Sequence, residues 1–85
     1  MFYKSIDVWK RNSDSAIRYR CFELLSSGRF CVQSADFYDK SRMQQQEEAF
    51  ARQFLELFLE DAPEDRARTF ATLEEAIAWH DQQFA

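Results

Sequence analysis

The stretch from Met43 to Leu59, MQQQEEAFARQFLELFL, carries the most regular hydrophobic pattern of this chain. Its large apolar residues recur at the spacing of one helical face: Phe50, Phe54, Leu57 and Phe58. Placed 100° apart per residue, they fall within roughly 100° of arc, the width of an ordinary core-facing stripe. The pattern therefore predicts a long helix near residues 41–61, with Phe54 in the middle of its buried face.

A second apolar ridge widens this face. Ala51, Leu55 and Leu59 extend the apolar arc to about 200°, which is more than a lone surface helix needs. Their spacing of four residues suits packing against another helix. We therefore expect this helix to contact more than one neighbour, and we interpret the ridge as a candidate interface.

The first part of the chain predicts a β-meander within residues 2–36. Side chains alternate between two faces over residues 2–10, 16–25 and 30–35, as in strands. Turn-forming residues 12–15 separate the first two strands, and a short loop ending at Gly28, the only glycine, separates the second and third. Apolar character changes face near Cys21, which indicates a bulge or a sheet that is apolar on both sides.

Two capping boxes mark helix starts in the second half. Ser41-Arg42-Met43-Gln44 is expected to open the long helix, which should end by Ala62 because Pro63 disfavours helical geometry in its predecessor. Residues 64–68 are predicted to form a charged loop. Thr72-Leu73-Glu74-Glu75 is expected to cap a second helix over residues 72–84.

This element order predicts an α+β fold for residues 1–85 as one domain. The expected architecture is a three-stranded antiparallel β-meander followed by two α-helices packed on one face of the sheet (βββαα). In the last helix, His80 falls on the predicted buried stripe and Trp79 falls beside it.

The charge distribution argues against some classes of binding partner. The net charge is −4, with eight Lys and Arg against five acids in residues 1–42 and three Arg against ten acids in residues 43–85. Acidic helices beside a mildly basic first half argue against nonspecific binding to nucleic acid or membranes. There is no secretory signal, no membrane-spanning apolar run and no dense cysteine framework, so we expect a cytoplasmic protein.

The two cysteines are the first candidates for chemistry. If Leu25 opposes Arg29 across the second hairpin, Cys21 and Cys31 lie diagonally on one face, at a separation poor for a disulfide. The sequence has no CxxC motif and no cluster of histidines or further cysteines for zinc. We therefore predict two reduced, structural thiols.

His80 and an acidic segment are the other candidates. One interpretation of His80 is a cysteine–histidine nucleophilic pair, but its place on the apolar stripe favours a hydrogen-bonded histidine at the edge of the core. The acids of residues 56–65 lack the alternating oxygen ligands and the glycine of a calcium loop, which favours a solvated helix end. We expect no catalytic residue, no metal and no cofactor.

One predicted sheet face combines cations with aromatic rings. Single-stranded bases stack on such rings when cations flank them, and the candidate residues are Tyr3, Trp9, Arg18 and Arg20. The competing interpretation is that both arginines form ion pairs across the sheet or face the acids of a partner chain.

Two hypotheses for function follow. The leading one is a non-enzymatic interaction module that forms a homodimer or binds another protein, using apolar surface in excess of what the fold needs. The alternative is a ligand- or nucleic-acid-binding domain built on Arg18, Arg20, Tyr3 and Trp9. For the homodimer we expect a two-fold interface through the long helix, the outer sheet face or both, with Ala51, Leu55, Leu59 and Trp79 as interface candidates.

Overall fold

Three antiparallel strands form one open sheet in the order β1-β2-β3 in the computed structural model, which describes residues 1–40 and 43–84. The strands are β1 (Tyr3–Arg11), β2 (Ser15–Leu24) and β3 (Arg29–Asp39). The predicted meander is confirmed, but β3 continues beyond its predicted end at residue 35. The reason is a period-two alternation that persists to the end of the strand, with Asp36 and Tyr38 buried on one face and Phe37 exposed on the other.

The second hairpin has a different register from the predicted one. Leu24, not Leu25, pairs with Arg29, so the connecting loop has four residues and ends at Gly28, whose φ of 70° suits glycine. A bulge follows, because Arg20 pairs with Ser34 whereas Cys21 pairs with Val32. The extra residue in β3 is therefore Gln33.

The predicted helices are present, and a short one lies between them. The helices are α1 (Met43–Glu60), α2 (Pro63–Arg66) and α3 (Leu73–Phe84). Residues 64–68 were predicted to form a loop, and this is wrong for residues 64–66, which are helical in α2. Pro63 lies in the first turn of α2, where a backbone N–H has no partner within the helix, so the missing N–H of proline does not destabilise it.

The two predicted caps have different outcomes. The Thr72 cap is confirmed, since its Oγ1 accepts a hydrogen bond from the backbone N–H of Glu75 at 3.2 Å. The predicted cap over Ser41–Gln44 lies outside the fully described residues.

The order βββαα is confirmed, but the prediction that both helices pack on one face of the sheet is wrong. Phe22 of β2 packs against Phe54 and Phe58 of α1, whereas the neighbouring Cys21, on the opposite side of the strand, packs in a cluster with Ala76 of α3. We call these two sides the α1 face and the α3 face. Two helices are needed because β2 is apolar on both faces. Both alternatives that the sequence left open near Cys21 are therefore present, the bulge and the two apolar faces.

The chain passes from the α1 face to the α3 face around the outer edge of β3. There Phe70 forms an antiparallel bridge with Phe30, with backbone N–H···O distances of 2.8 and 2.7 Å. Arg29 holds the same segment by donating from Nε to the hydroxyl oxygen of Thr69 at 3.0 Å. Within the described residues, no helix is long and apolar enough to cross a membrane.

Candidate functional site

The predicted ridge on the long helix is uncovered. Leu55 is 55% exposed and Leu59 is 75% exposed, and Ala51 is also exposed. We call these three residues the α1 ridge. Helix α3 cannot cover them because it packs on the opposite face of the sheet.

Contacts on either side of α1 orient the ridge. On one side of α1, Phe58 packs edge-to-face on Tyr3 of β1, with ring centroids 5.6 Å apart. On the other side, Leu57 lines the same cleft as Gln33 of β3. At 100° per residue, the α1 ridge continues around the helix beyond Phe58, away from Leu57. It therefore faces outward above the β1 side of the sheet.

Exposed charges border the α1 ridge. Arg52 and Glu56 flank Leu55 one helical turn apart, and both side chains are exposed. Arg52 forms no ion pair with any residue in the described part of the chain. The surface thus combines an apolar row with an available cation and an available carboxylate.

The two candidate arginines of β2 are buried instead of open to a ligand. Arg20 donates from Nε to Asp36 at 2.6 Å, and Arg18 donates from Nη2 to Glu47 of α1 at 3.0 Å. Arg18 also donates to the hydroxyl of Tyr38 and lies 3.8 Å from Asp36. Both guanidinium groups are therefore held in an ion-pair network beneath α1.

Burial and hydrogen bonding shift the pKa values of two groups in this network. Burial raises the pKa of Tyr38 to about 12, and its hydrogen bond to Glu47 adds to the increase. The same hydrogen bond holds the pKa of Glu47 below its ordinary value. A neutral tyrosine donating to a carboxylate beside Arg18 is a stable arrangement, since both pKa shifts keep Tyr38 protonated and Glu47 ionised near neutral pH.

Of the two candidate aromatic residues of β1, Tyr3 is packed against other side chains and Trp9 is exposed. Tyr3 packs against Phe22 and Phe58, and its hydroxyl donates to Glu64 at 2.6 Å, which raises its pKa to about 12. Trp9 is half exposed, with the Arg18 guanidinium 5.0 Å from its ring centre. Trp9 lies on the α1 face and adds apolar surface to the side that carries the α1 ridge.

Trp79 and His80 lie on the α3 face, away from the α1 ridge. Trp79 packs on Phe70 with ring centroids 5.9 Å apart. His80 packs against Tyr19 and Phe84, and burial lowers its pKa from the ordinary value. The hydrogen bond predicted for His80 is not made at Nδ1, which is buried without a partner among the described residues.

The cysteines lie on opposite faces of the sheet, so their predicted placement on one face is wrong. The four-residue loop shifts the register, which places Cys31 with Phe22 on the α1 face and leaves Cys21 on the α3 face. The sheet backbone separates the thiols, so a disulfide between them would need refolding.

Both thiols should resist alkylation in the native protein. Burial raises the pKa of Cys21 to about 12 and that of Cys31 to about 11, so at mildly alkaline pH neither is a thiolate. Iodoacetamide should modify neither cysteine until denaturant is added and both after it, as measured by mass spectrometry. Modification of a single cysteine in the folded state would contradict the buried, structural assignment.

Two acids of the segment at the end of α1, Glu60 and Asp61, form surface ion pairs. Arg66 donates to Asp61 at 2.9 Å and lies 4.0 Å from Glu60. Across residues 1–40 and 43–84, no group of three or more His, Cys, Asp or Glu side chains has the geometry to hold a metal ion.

Comparison with protein families, with curated proteins and with solved structures finds no match to this chain. Function must therefore be argued from the surface and the side chains themselves.

Two residues of this buried ion-pair network were not predicted from the sequence, Asp36 and Glu47. Asp36 was placed at the end of the meander, although the alternation with Tyr38 was a signal that could have put it inside a strand. Glu47 belongs to a polar stretch of α1, and nothing in its spacing singles it out as the partner of Arg18.

Proposed function

We propose that this protein is a non-enzymatic protein-interaction module that forms a homodimer through the α1 ridge. The observation that carries the proposal is the exposure of Leu55 and Leu59 on a helix whose other apolar side is already packed on the sheet. Full burial of an exposed leucine gains about 1.5–3 kcal/mol, and these two partly covered side chains would each gain a part of that. A second copy supplies a matching surface.

Two-fold symmetry also suits the charges beside the ridge. A two-fold axis that crosses α1 near Leu55 pairs the helices antiparallel and places Arg52 of one copy close to Glu56 of the other, twice. A stable interface buries about 800 Å² on each partner, more than three side chains provide. The half-exposed Trp9 and the exposed β1 side chains on the same face are available to enlarge it.

The alternative hypothesis, a ligand- or nucleic-acid-binding sheet face, receives less support. It requires cations that are free to meet phosphate or a ligand, whereas Arg18 and Arg20 are buried in ion pairs with Glu47 and Asp36. We keep the cytoplasm as the proposed compartment, since two buried, unpaired thiols suit a reducing environment.

The change of Leu55 to Glu tests the dimer. We expect the wild-type chain to have about twice its monomer mass of 10.2 kDa in light scattering at micromolar concentration. Leu55→Glu should yield a folded monomer, because two carboxylates would meet near the two-fold axis while the exposed position tolerates a polar side chain within the monomer. Circular dichroism reports whether the fold is retained.

Gln53→Glu is the matched control. It adds the same charge at another exposed position of α1 that lies off the ridge, and it should remain dimeric. A wild-type monomer at micromolar concentration would contradict the proposal, and so would a Leu55→Glu variant as dimeric as the control.

A further inference from the structure

A cleft of about 700 Å³ lies along the outer edge of β3, on the other side of the molecule from the α1 ridge. Its floor is the segment from Val32 to Phe37. One wall is formed by α1 and α2 with Leu57 and Arg66, and the other by α3. We call it the β3 edge cleft.

Backbone pairing shows which groups this edge offers. Along an edge strand of an antiparallel sheet, every second residue directs its backbone N–H and C=O to the neighbouring strand. The residues between them direct these groups outward, away from the sheet. Phe30 points outward, since both its backbone groups bond Phe70. Carried along β3 through the bulge, the alternation makes Val32, Ala35 and Phe37 outward-pointing as well.

These three residues line the β3 edge cleft, and no described residue pairs with their outward backbone groups. The bridge between Phe30 and Phe70 shows that the same edge already accepts an added antiparallel segment at its beginning. Beyond that bridge, no described residue pairs with the edge over the length of the cleft.

Two polar side-chain atoms within the cleft-lining residues also lack partners. Gln33 Oε1 and His80 Nδ1 are buried and without hydrogen bonds among the described residues. Most buried polar atoms in proteins are hydrogen-bonded. Both atoms are closed to solvent, so an incoming chain would reach them only after the side chains move, and the backbone groups of the edge carry the inference.

From this edge and its walls we infer that the β3 edge cleft binds an extended peptide segment of another protein, which adds a fourth strand antiparallel to β3. Main-chain hydrogen bonds to an exposed edge give such a complex its affinity, and pockets for alternate side chains give its specificity. The six residues from Val32 to Phe37 span about 20 Å, so a segment of about six residues fills the cleft.

The walls define the chemistry of that segment. Trp79 and Phe84 line the α3 wall, and Leu57 and Ala67 line the opposite wall, so apolar side chains fit on both sides of the added strand. Lys10 stands at the Phe37 end and forms no ion pair with a described residue. An antiparallel segment begins at that end, so the partner peptide carries an acidic residue near its N-terminal end and apolar residues after it.

The probe is a displayed library of random decapeptides, selected on the wild-type chain and then synthesised. Ala35→Pro removes one outward N–H and leaves the bonds between β3 and β2 intact, as proline is tolerated where an edge N–H faces outward. The variant should bind the selected peptide about tenfold more weakly, the loss expected for one unmade backbone hydrogen bond. N-methylation of the peptide should weaken binding at alternate positions only.

Ser5→Pro is the matched control, because Ser5 points outward at the opposite edge of the sheet, on β1. It should bind the peptide as the wild type does, and so should Leu55→Glu, since the α1 ridge is a separate surface.

Failure to select any peptide, or equal binding by the two proline variants, would overturn the inference. A dimer disrupted by Ala35→Pro but not by Leu55→Glu would replace the peptide with a second copy at this edge. N-methylation that acts at every position or at none would also overturn strand addition, independently of whether the proline variant folds.

Discussion

Replacing Asp36 with alanine is expected to destabilise the fold by about 3–5 kcal/mol, because it leaves buried positive charge without its closest carboxylate. Asp36 is 2% exposed and accepts a hydrogen bond from Arg20 at 2.6 Å, with Arg18 a further 3.8 Å neighbour. Two guanidinium nitrogens of these arginines already lack hydrogen-bond partners among the described residues. The loss would be a large fraction of the total stability, about 5–10 kcal/mol for a chain of this size.

Asp7→Ala is the matched control in the same network. Its carboxylate is 45% exposed and lies 3.9 Å from Arg18, so it should contribute no more than about 1 kcal/mol. Urea unfolding followed by circular dichroism measures both variants, and unchanged slopes would show that the midpoints report stability.

A second substitution separates the lost charge pair from lost packing. Arg20→Met in the Asp36→Ala background removes the unpaired charge and keeps an unbranched side chain beneath the ring of Phe54, 4.9 Å away. The double variant should be more stable than Asp36→Ala alone. Equal destabilisation by Asp36→Ala and Asp7→Ala would contradict the importance of the buried pair.

Local patterns in the sequence predicted the elements well because each pattern reflects a short-range physical cause. The period of the long helix, the Thr72 cap and the Asn12–Ser15 turn depend on neighbours within a few residues, and all three are present. The side of the sheet on which a helix packs depends on contacts distant in the sequence. The apolar residues on both sides of β2 were the available signal for two covered faces, and the predicted architecture did not use it.

The predicted register between β2 and β3 is wrong by one residue. This shift places Cys21 and Cys31 on opposite faces of the sheet instead of on one face. A hairpin with a three-residue loop places Cys21 and Cys31 on one face, whereas a four-residue loop places them on opposite faces. Turn sequences with serine and glycine are compatible with both lengths.

The candidate surface was predictable in part. Exposure of Leu55 and Leu59 followed from a helical face wider than one neighbour can cover, whereas the burial of Arg18 and Arg20 followed from long-range partners on β3 and α1. The β3 edge cleft was not predictable, because it depends on where α2 and α3 come to lie beside an edge strand.

Replacing Phe22 with alanine is expected to cost about 3–5 kcal/mol, the range for a buried phenylalanine. Phe22 is 3% exposed, and its ring contacts those of Tyr3, Phe54 and Phe58 at centroid distances of 6.0, 5.5 and 5.1 Å. Its removal would leave a cavity between the sheet and α1 that is lined by these three rings. Phe54→Ala should cost less, since Phe54 is half-buried and provides only one of these ring contacts.

Phe37→Ala supplies the control for the loss of a large aromatic side chain from a strand. Phe37 is 62% exposed, so its replacement should change stability by about 1 kcal/mol or less. The urea midpoint should therefore be highest for Phe37→Ala, lower for Phe54→Ala and lowest for Phe22→Ala. The last variant should be barely stable enough to fold. If Phe22→Ala and Phe37→Ala unfold at the same midpoint, Phe22 does not organise the packing of α1 on the sheet. Since that packing holds Glu47 against Arg18 and turns Leu55 outward, the same result would also remove the basis for the α1 ridge as an interface.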